Sequence, residues 1–192
     1  MTAFTYRMGA GSPGDVTRLH PASIRAFVNN PSGGKPIVNF GWAAIFDNNG
    51  GTANTIKTLA AATGGGTTTL AGVSVRPFPT QDSGYGETYG AAAYGSGGPV
   101  AGGVVDLLCQ GSILVTLSAG LSGTYAAGTY AILGAPLYVR VAAGTGPWSL
   151  APVGGFEIVP DAGTSINQTT VANAYLNGPA DQFGVAEITL ID

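Results

Sequence analysis

The sequence predicts an all-β fold: a β-sandwich or jelly-roll-like barrel with an extended N-terminal arm and long Gly-rich loops. Three observations carry that expectation. The apolar runs are short and rich in Val, Ile, Leu and Thr, many of them alternate with polar residues at period two, and Gly, Pro and Asn-Gly punctuation separates them. No helical pattern outlasts two turns before a Gly or Pro ends it.

Composition bounds the class. At 192 residues the chain is long enough for one sizeable core, and we divide it into an N-terminal arm, residues 1–22, and a single β domain, residues 23–192. Gly supplies 32 residues without a three-residue period, which excludes a collagen-like helix. Charged residues make up 9% against a typical ~25%, and the net charge is −3. Seven Lys and Arg spread along the chain form no basic patch, so neither nucleic acid nor a membrane is an expected partner. The N-terminus lacks a basic-then-apolar signal pattern, so synthesis in the cytoplasm is expected. A surface this poor in charge does little to suppress association, and partners are expected to cover much of it.

Taken in order, Thr2 to Met8 alternates Phe4, Tyr6 and Met8 with polar residues and Arg7. With the Gly-rich turn up to Gly14, the stretch to Arg18 reads as an edge strand or a strap lying on a neighbour. Gly9, Gly11 and Gly14 spell G-x-G-x-x-G, but Pro13 and Pro21 leave no room for the helix a dinucleotide loop needs. Asp15 to Pro36 reads as mostly irregular chain with at most one short strand, Ser23 to Val28. Its Gly33-Gly34-Lys35 lacks the first Gly and the Ser or Thr of a phosphate loop. His20 is the single histidine, sits before Pro21 and reads as a loop residue with no second His to share a metal. Ile37 to Asp47 and Thr52 to Leu59 form a hairpin across Asn48-Asn49-Gly50-Gly51, which lacks the later Gly and Glu of a calcium loop. Ala60 to Thr69 is small and polar, and Leu70 to Arg76 is a strand closed by Pro77-Phe78-Pro79. Beyond it Tyr85, Tyr89 and Tyr94 stand among Gly, Ala and Ser, a mixture suited to contact loops.

The central unit runs from Val104 to Val141. Val104 to Cys109 and Ser112 to Leu117 are strands around Gln110-Gly111, either a hairpin or a bulged bend. Leu137 to Val141 is a further strand, with Pro136 where the ladder needs no donor. Cys109, the single cysteine, reads as a buried small hydrophobe. Gly154 to Val159 is a short strand, Thr164 to Asn173 a polar connection, and Asn177-Gly178-Pro179 a turn. The last strand, Val185 to Ile191, sets Ala186, Ile188 and Leu190 on one face.

No catalytic constellation emerges: there is no G-x-S-x-G, no Cys/His pairing and no H-E-x-x-H, and the carboxylates are scattered singly. Neither an enzyme activity, a cofactor nor a metal is expected. Tyr6-Arg7-Met8-Gly9 with Pro13 to Arg18, Gly72 to Thr80, Gly134 to Val139 and Asn173 to Asp181, in that order, resemble the structural cement (head decoration) proteins of tailed bacteriophages over nearly the whole length. The Gly/Thr-rich segment Ala60 to Thr69 departs from that pattern. The resemblance implies an all-β virion protein clamping the outer capsid surface by binding the major capsid protein of the same phage. It also implies a knob at three-fold sites, hence a homotrimer, with a dimer as runner-up. Candidate interface residues are Phe4, Tyr6, Arg7, Met8, Arg18, Arg76, Phe78, Tyr85, Tyr89 and Tyr94. A phage receptor- or sugar-binding β-sandwich using Trp42, Trp148 and the tyrosines is the alternative, and a hydrolase with a convergent site is a more distant one.

Overall fold

β-Branched and aliphatic residues suit a pleated, half-buried surface, and the short apolar stretches fold accordingly. The structure, a computed structural model, describes residues 12–30, 35–47, 54–59, 64–76, 99, 101–118, 133–143, 151–160, 167–181 and 184–191, at 19–21 by backbone only. Regular structure among the described residues is all strand: β1 (Val16–Asn29), β2 (Ala43–Phe46), β3 (Thr55–Thr58), β4 (Thr67–Thr68), β5 (Gly72–Ser74), β6 (Val104–Thr116), β7 (Pro136–Arg140), β8 (Phe156–Glu157), β9 (Gln168–Leu176) and β10 (Val185–Leu190). The protein is all-β, as its sequence predicts.

Hydrogen-bonded pairing runs β1-β3-β2-β5-β6-β10-β9-β7-β8, with β4 beside β9 and a further ladder between β1 and β6. That ladder closes β1, β3, β2, β5 and β6 into a ring. A parallel bridge from Leu117 to Phe156 brings β8 back to the end of β6 and closes a second ring, β6-β10-β9-β7-β8. β6 belongs to both. Along one edge it pairs with β1; along the other Leu107 and Leu108 meet β5, and Gly111 to Thr116 meet β10. Between these two spans Gly111 takes φ 119°, a conformation open to glycine and strained for other residues. The Gln110-Gly111 break is therefore a bend inside one strand, and the two short strands expected around it are a single long one.

Two cores follow from strand alternation. Phe27, Ile56, Ala44, Val105 and Leu107 fill the first ring, together with Ile37 and Ala71. Their chain neighbours Ala43 and Leu108, with Val73, face the other way. They join Ile113, Val115, Leu137, Val139, Phe156, Leu176, Ile188 and Leu190 in the larger core of the second ring. The β2-β5-β6 wall thus carries one core on each face. Phe46 caps the rim of the first ring, its ring edge-on to Phe27 at 5.8 Å.

Polar side chains hold what the ladders do not reach. Asn29 is buried and uses both halves of its amide on Ile37, accepting from its N–H and donating to its C=O at 2.8 Å. Asn173 does the same to Leu70, at 2.9 and 3.1 Å. Arg140 and Glu157 form an ion pair with neither side chain exposed to solvent, through Nε at 2.7 Å and the terminal nitrogen at 2.9 Å. Gln168 donates to the same carboxylate and to the Val159 carbonyl.

Several sequence expectations are corrected. Asp15 to Pro36 is mostly β1, because a bulge absorbs Pro21: between Arg18 and Ser23 the strand advances five residues against two on β6. Thr164 to Asn173 is mainly the start of β9, whose Thr169, Thr170 and Val171 are β-branched and whose Gln168 has a buried polar partner. Ile37 to Asp47 is strand only over β2: Ile37 is held by the Asn29 side chain, and Gly41 turns the chain at φ 73°. Inside Ala60 to Thr69, β4 runs parallel to β9. Cys109 is half-buried, at the margin of the first core. The Asn48-Asn49-Gly50-Gly51 turn and Trp148 lie outside the described residues, whereas β2 and β3 pair antiparallel as the hairpin reading requires.

Glu157→Gln removes the carboxylate that Arg140 holds through Nε and its terminal nitrogen, inside the fold. It is expected to lower the unfolding free energy by about 3–5 kcal/mol, and Arg140→Met with Glu157→Leu to recover most of that loss, as read by urea titration.

Candidate functional site

Among the described residues no three His, Cys, Asp or Glu side chains are placed to hold a metal ion. Among the described residues one ion pair, Arg140–Glu157, is fully buried, sealed inside the fold and out of reach of solvent. Burial pushes the Cys109 thiol above its usual range, an effect Arg25 opposes but does not cancel. A thiol shifted that way is a poorer nucleophile at neutral pH. What the fold offers is surface.

Its first feature is a seated N-terminal turn. Ser12-Pro13-Gly14-Asp15 closes on itself, Asp15 N–H donating to the Ser12 carbonyl at 3.0 Å and Ser12 N–H to the Asp15 carboxylate at 2.9 Å. Gly14 then ties two parts of the fold together, donating to the Leu114 carbonyl at 2.7 Å and accepting from Arg76 N–H at 2.9 Å. At φ 90°, a side chain here would meet the Arg76 nitrogen at 2.9 Å and Phe40 Cβ at 2.8 Å, so only glycine fits. Ser12 is therefore held at a fixed point against β6 and the Arg76 backbone.

Just past that turn, Thr17 Oγ1 donates to Glu187 Oε1 at 2.6 Å and Arg18 Nε to the same oxygen at 3.1 Å. Glu187 stands on β10, so this contact straps the start of β1 across β6. Beside it Ser112, Thr189 and Asn177 share hydrogen bonds of 2.8 Å. Of the residues singled out from sequence, Arg18 is thus engaged within the chain while its side chain remains 65% exposed. Arg76 is half-buried and anchors Gly14 through its backbone. The structure brings both beside the N-terminal turn. Phe4, Tyr6, Arg7, Met8, Phe78, Tyr85, Tyr89 and Tyr94 lie outside the described residues.

A second feature was not singled out from sequence. Ile24, Ala26 and Val28 alternate on the outward face of β1 and are exposed, and Val104, 74% exposed, lies directly opposite Val28. The period-two pattern of Ser23 to Val28 carried that signal, but the surrounding prolines masked it.

Among the described residues the fold is all strand, its ion pairs are made within the chain and exposed apolar side chains line the outward face of β1, features of a structural protein. The family comparison is specific: residues 1–190 match the model of the XM1 gp53 minor capsid protein. The chain belongs to that family of phage capsid-associated proteins, which makes it a structural component of the virion. Among solved structures it is similar to a chain of the capsid of Myoviridae phage XM1, at 18% identity and a TM-score of 0.58, over 98% of this chain and 95% of that one. No curated protein matches it.

Gly14→Ala is expected to cost about 1–3 kcal/mol through its strained φ. Glu187→Gln, which loosens a largely exposed ion pair, should cost under ~1 kcal/mol and lose that effect in high salt. Parallel thermal melts of the two variants check the order.

Proposed function

We propose that the chain is a capsid cement protein, bound to the outer face of the assembled major capsid protein and holding the shell against internal pressure. Membership of the minor capsid family over residues 1–190 is the observation that carries this reading. Support comes from the 9% charge of the chain and from exposed Ile24, Val28 and Val104, since interface centres are depleted in charge. A protein that binds only the assembled arrangement stabilises it by mass action, by about 2.7 kcal/mol at a hundredfold excess over its Kd, and many copies multiply the effect.

In this reading the segment before Ser12, with Phe4, Tyr6, Arg7 and Met8, straps a neighbouring subunit from the anchor point that Gly14 fixes. Arg18, Arg76, Phe78 and the tyrosines Tyr85, Tyr89 and Tyr94 add contacts to the shell or to sister copies. The chain assembles as a homotrimer at three-fold positions, where closed symmetry covers an apolar face without new sequence.

Shells assembled without the chain should rupture at lower temperature or on osmotic shock, and added purified protein should restore them. Unchanged rupture would refute the cement role. Deleting residues 2–11 should leave the melting temperature within a few degrees but abolish occupancy on shells. Sedimentation of the free protein and the symmetry of its density on the particle check the trimer, and a two-fold feature would replace it with a dimer.

A further inference from the structure

β1 is paired along only part of one edge. Its pairing with β3 covers Val28 and Asn29. There Val28 N–H donates to the Asn54 carbonyl and Asn30 N–H to the Ile56 carbonyl, each at 2.9 Å, while Asn29 N–H turns to the opposite edge and the Gly103 carbonyl. From Ile24 to Val28 the register with β6 is regular, residue for residue. In an antiparallel ladder alternate residues direct both backbone groups to the same side. Ala26 and Ile24 therefore continue the row that starts at Val28, and their N–H and C=O groups point at an edge that no strand occupies among the described residues. N-terminally the register with β6 shifts between Ser23 and Ile24 and again at the bulge around Pro21, beyond which Thr17 and Arg18 contact Glu187. What stays open is Ser23 to Phe27, the length of an ordinary strand.

The two faces of this span differ. One carries exposed Ile24, Ala26 and Val28, with Val104 opposite Val28 and the exposed Asp106 opposite Ala26 on the β6 side. The other carries Arg25, exposed and without a carboxylate partner among the described residues, whereas Arg18 and Arg140 each have one. A strand added here places alternate side chains beside the apolar row and the intervening ones beside Arg25. A second copy in the two-fold antiparallel register centred on Arg25 is the poorer occupant, because it sets Arg25 against Arg25, and like charges directly opposite oppose pairing.

We propose that the Ser23–Phe27 edge of β1 receives an extended segment of the capsid shell protein, apolar at alternate positions and carrying between them a carboxylate that meets Arg25. The mode is strand addition, in which backbone hydrogen bonds give affinity and alternate side chains give specificity. The proposal rests on the capsid-surface reading above and names the element that makes the contact.

Ala26→Pro tests it. Proline removes the N–H that points at the open edge and leaves the ladder with β6 intact. Wild type, Ala26→Pro and Arg25→Glu are titrated onto shells assembled without the chain, with melts of each free protein as a folding control. Each variant should lose about tenfold or more in affinity. Arg25→Glu, whose side chain is exposed, should melt like wild type and so keeps the test open if Ala26→Pro misfolds. Hydrogen exchange on loaded shells should show the Ile24 and Ala26 amides protected relative to the free chain. Equal binding by folded variants, or unprotected amides on occupied shells, overturns strand addition while leaving the capsid reading intact. Failure of the wild type to bind shells overturns both. A variant that instead changes the sedimentation of the free protein assigns the edge to a second copy and also overturns the proposal.

Discussion

Both rings of strands close through β6, so the fold depends on one strand pairing along two edges while its side chains enter two cores. That requirement is demanding, because residue alternation permits a strand only two faces and regular pairing only one continuous neighbour per edge. The bend at Gly111 relaxes it. Before the bend β6 offers Leu107 to the first core and Leu108 to the second; after it, Ile113 and Val115 serve the second core and the edge passes from β5 to β10. β1 spans the same bend on the other side through compensating bulges, and it accommodates a proline where a regular ladder would reject one.

The chain is sparing with charge and places what it has unevenly. Arg140 and Glu157 sit where β7, β8 and β9 meet, fully enclosed, with Gln168 supplying a further donor. A buried pair of this kind adds little net stability over an apolar filling, but it penalises every strand register that separates the partners. Tyr138 pairs with Glu157 on one side and Arg140 with Gln168 on the other, so a slip of either ladder would strand a charge. Short strands with small or polar residues are weakly specified by hydrophobic pattern alone, and β8 has only two residues. The ion pair supplies the missing specification.

How much of this was legible varies with the physical signal. β10 was readable almost to the residue because Ala186, Ile188 and Leu190 alternate cleanly with Glu187 and Thr189 against one buried face. The all-β class was equally plain, since Gly and Pro interrupt each helical possibility. β9 was hidden because Gln168 and Thr169 look like loop residues until their partners on other segments, Glu157 and Gly66, are known. β1 was obscured by Pro21, whose bulge depends on β6. Arg18 and Arg76 lie near the N-terminal turn, and the alternation of Ser23 to Val28 hinted at an outward row on β1, but which edge its ladder leaves open depends on β3 and β6. Capsid association came from the order of motifs along the chain, none of which performs chemistry.

The paired amides of Asn29 and Asn173 have a consequence of a different kind. Each grips the backbone of one residue, Ile37 or Leu70, with the two bonds a ladder partner would make, but at a single point instead of along a line. A rivet of this sort fixes position without fixing phase. Segments on either side can lengthen, shorten or change composition without sliding a strand out of step. Such points would let the chain on either side vary while the two rings of strands keep their registers.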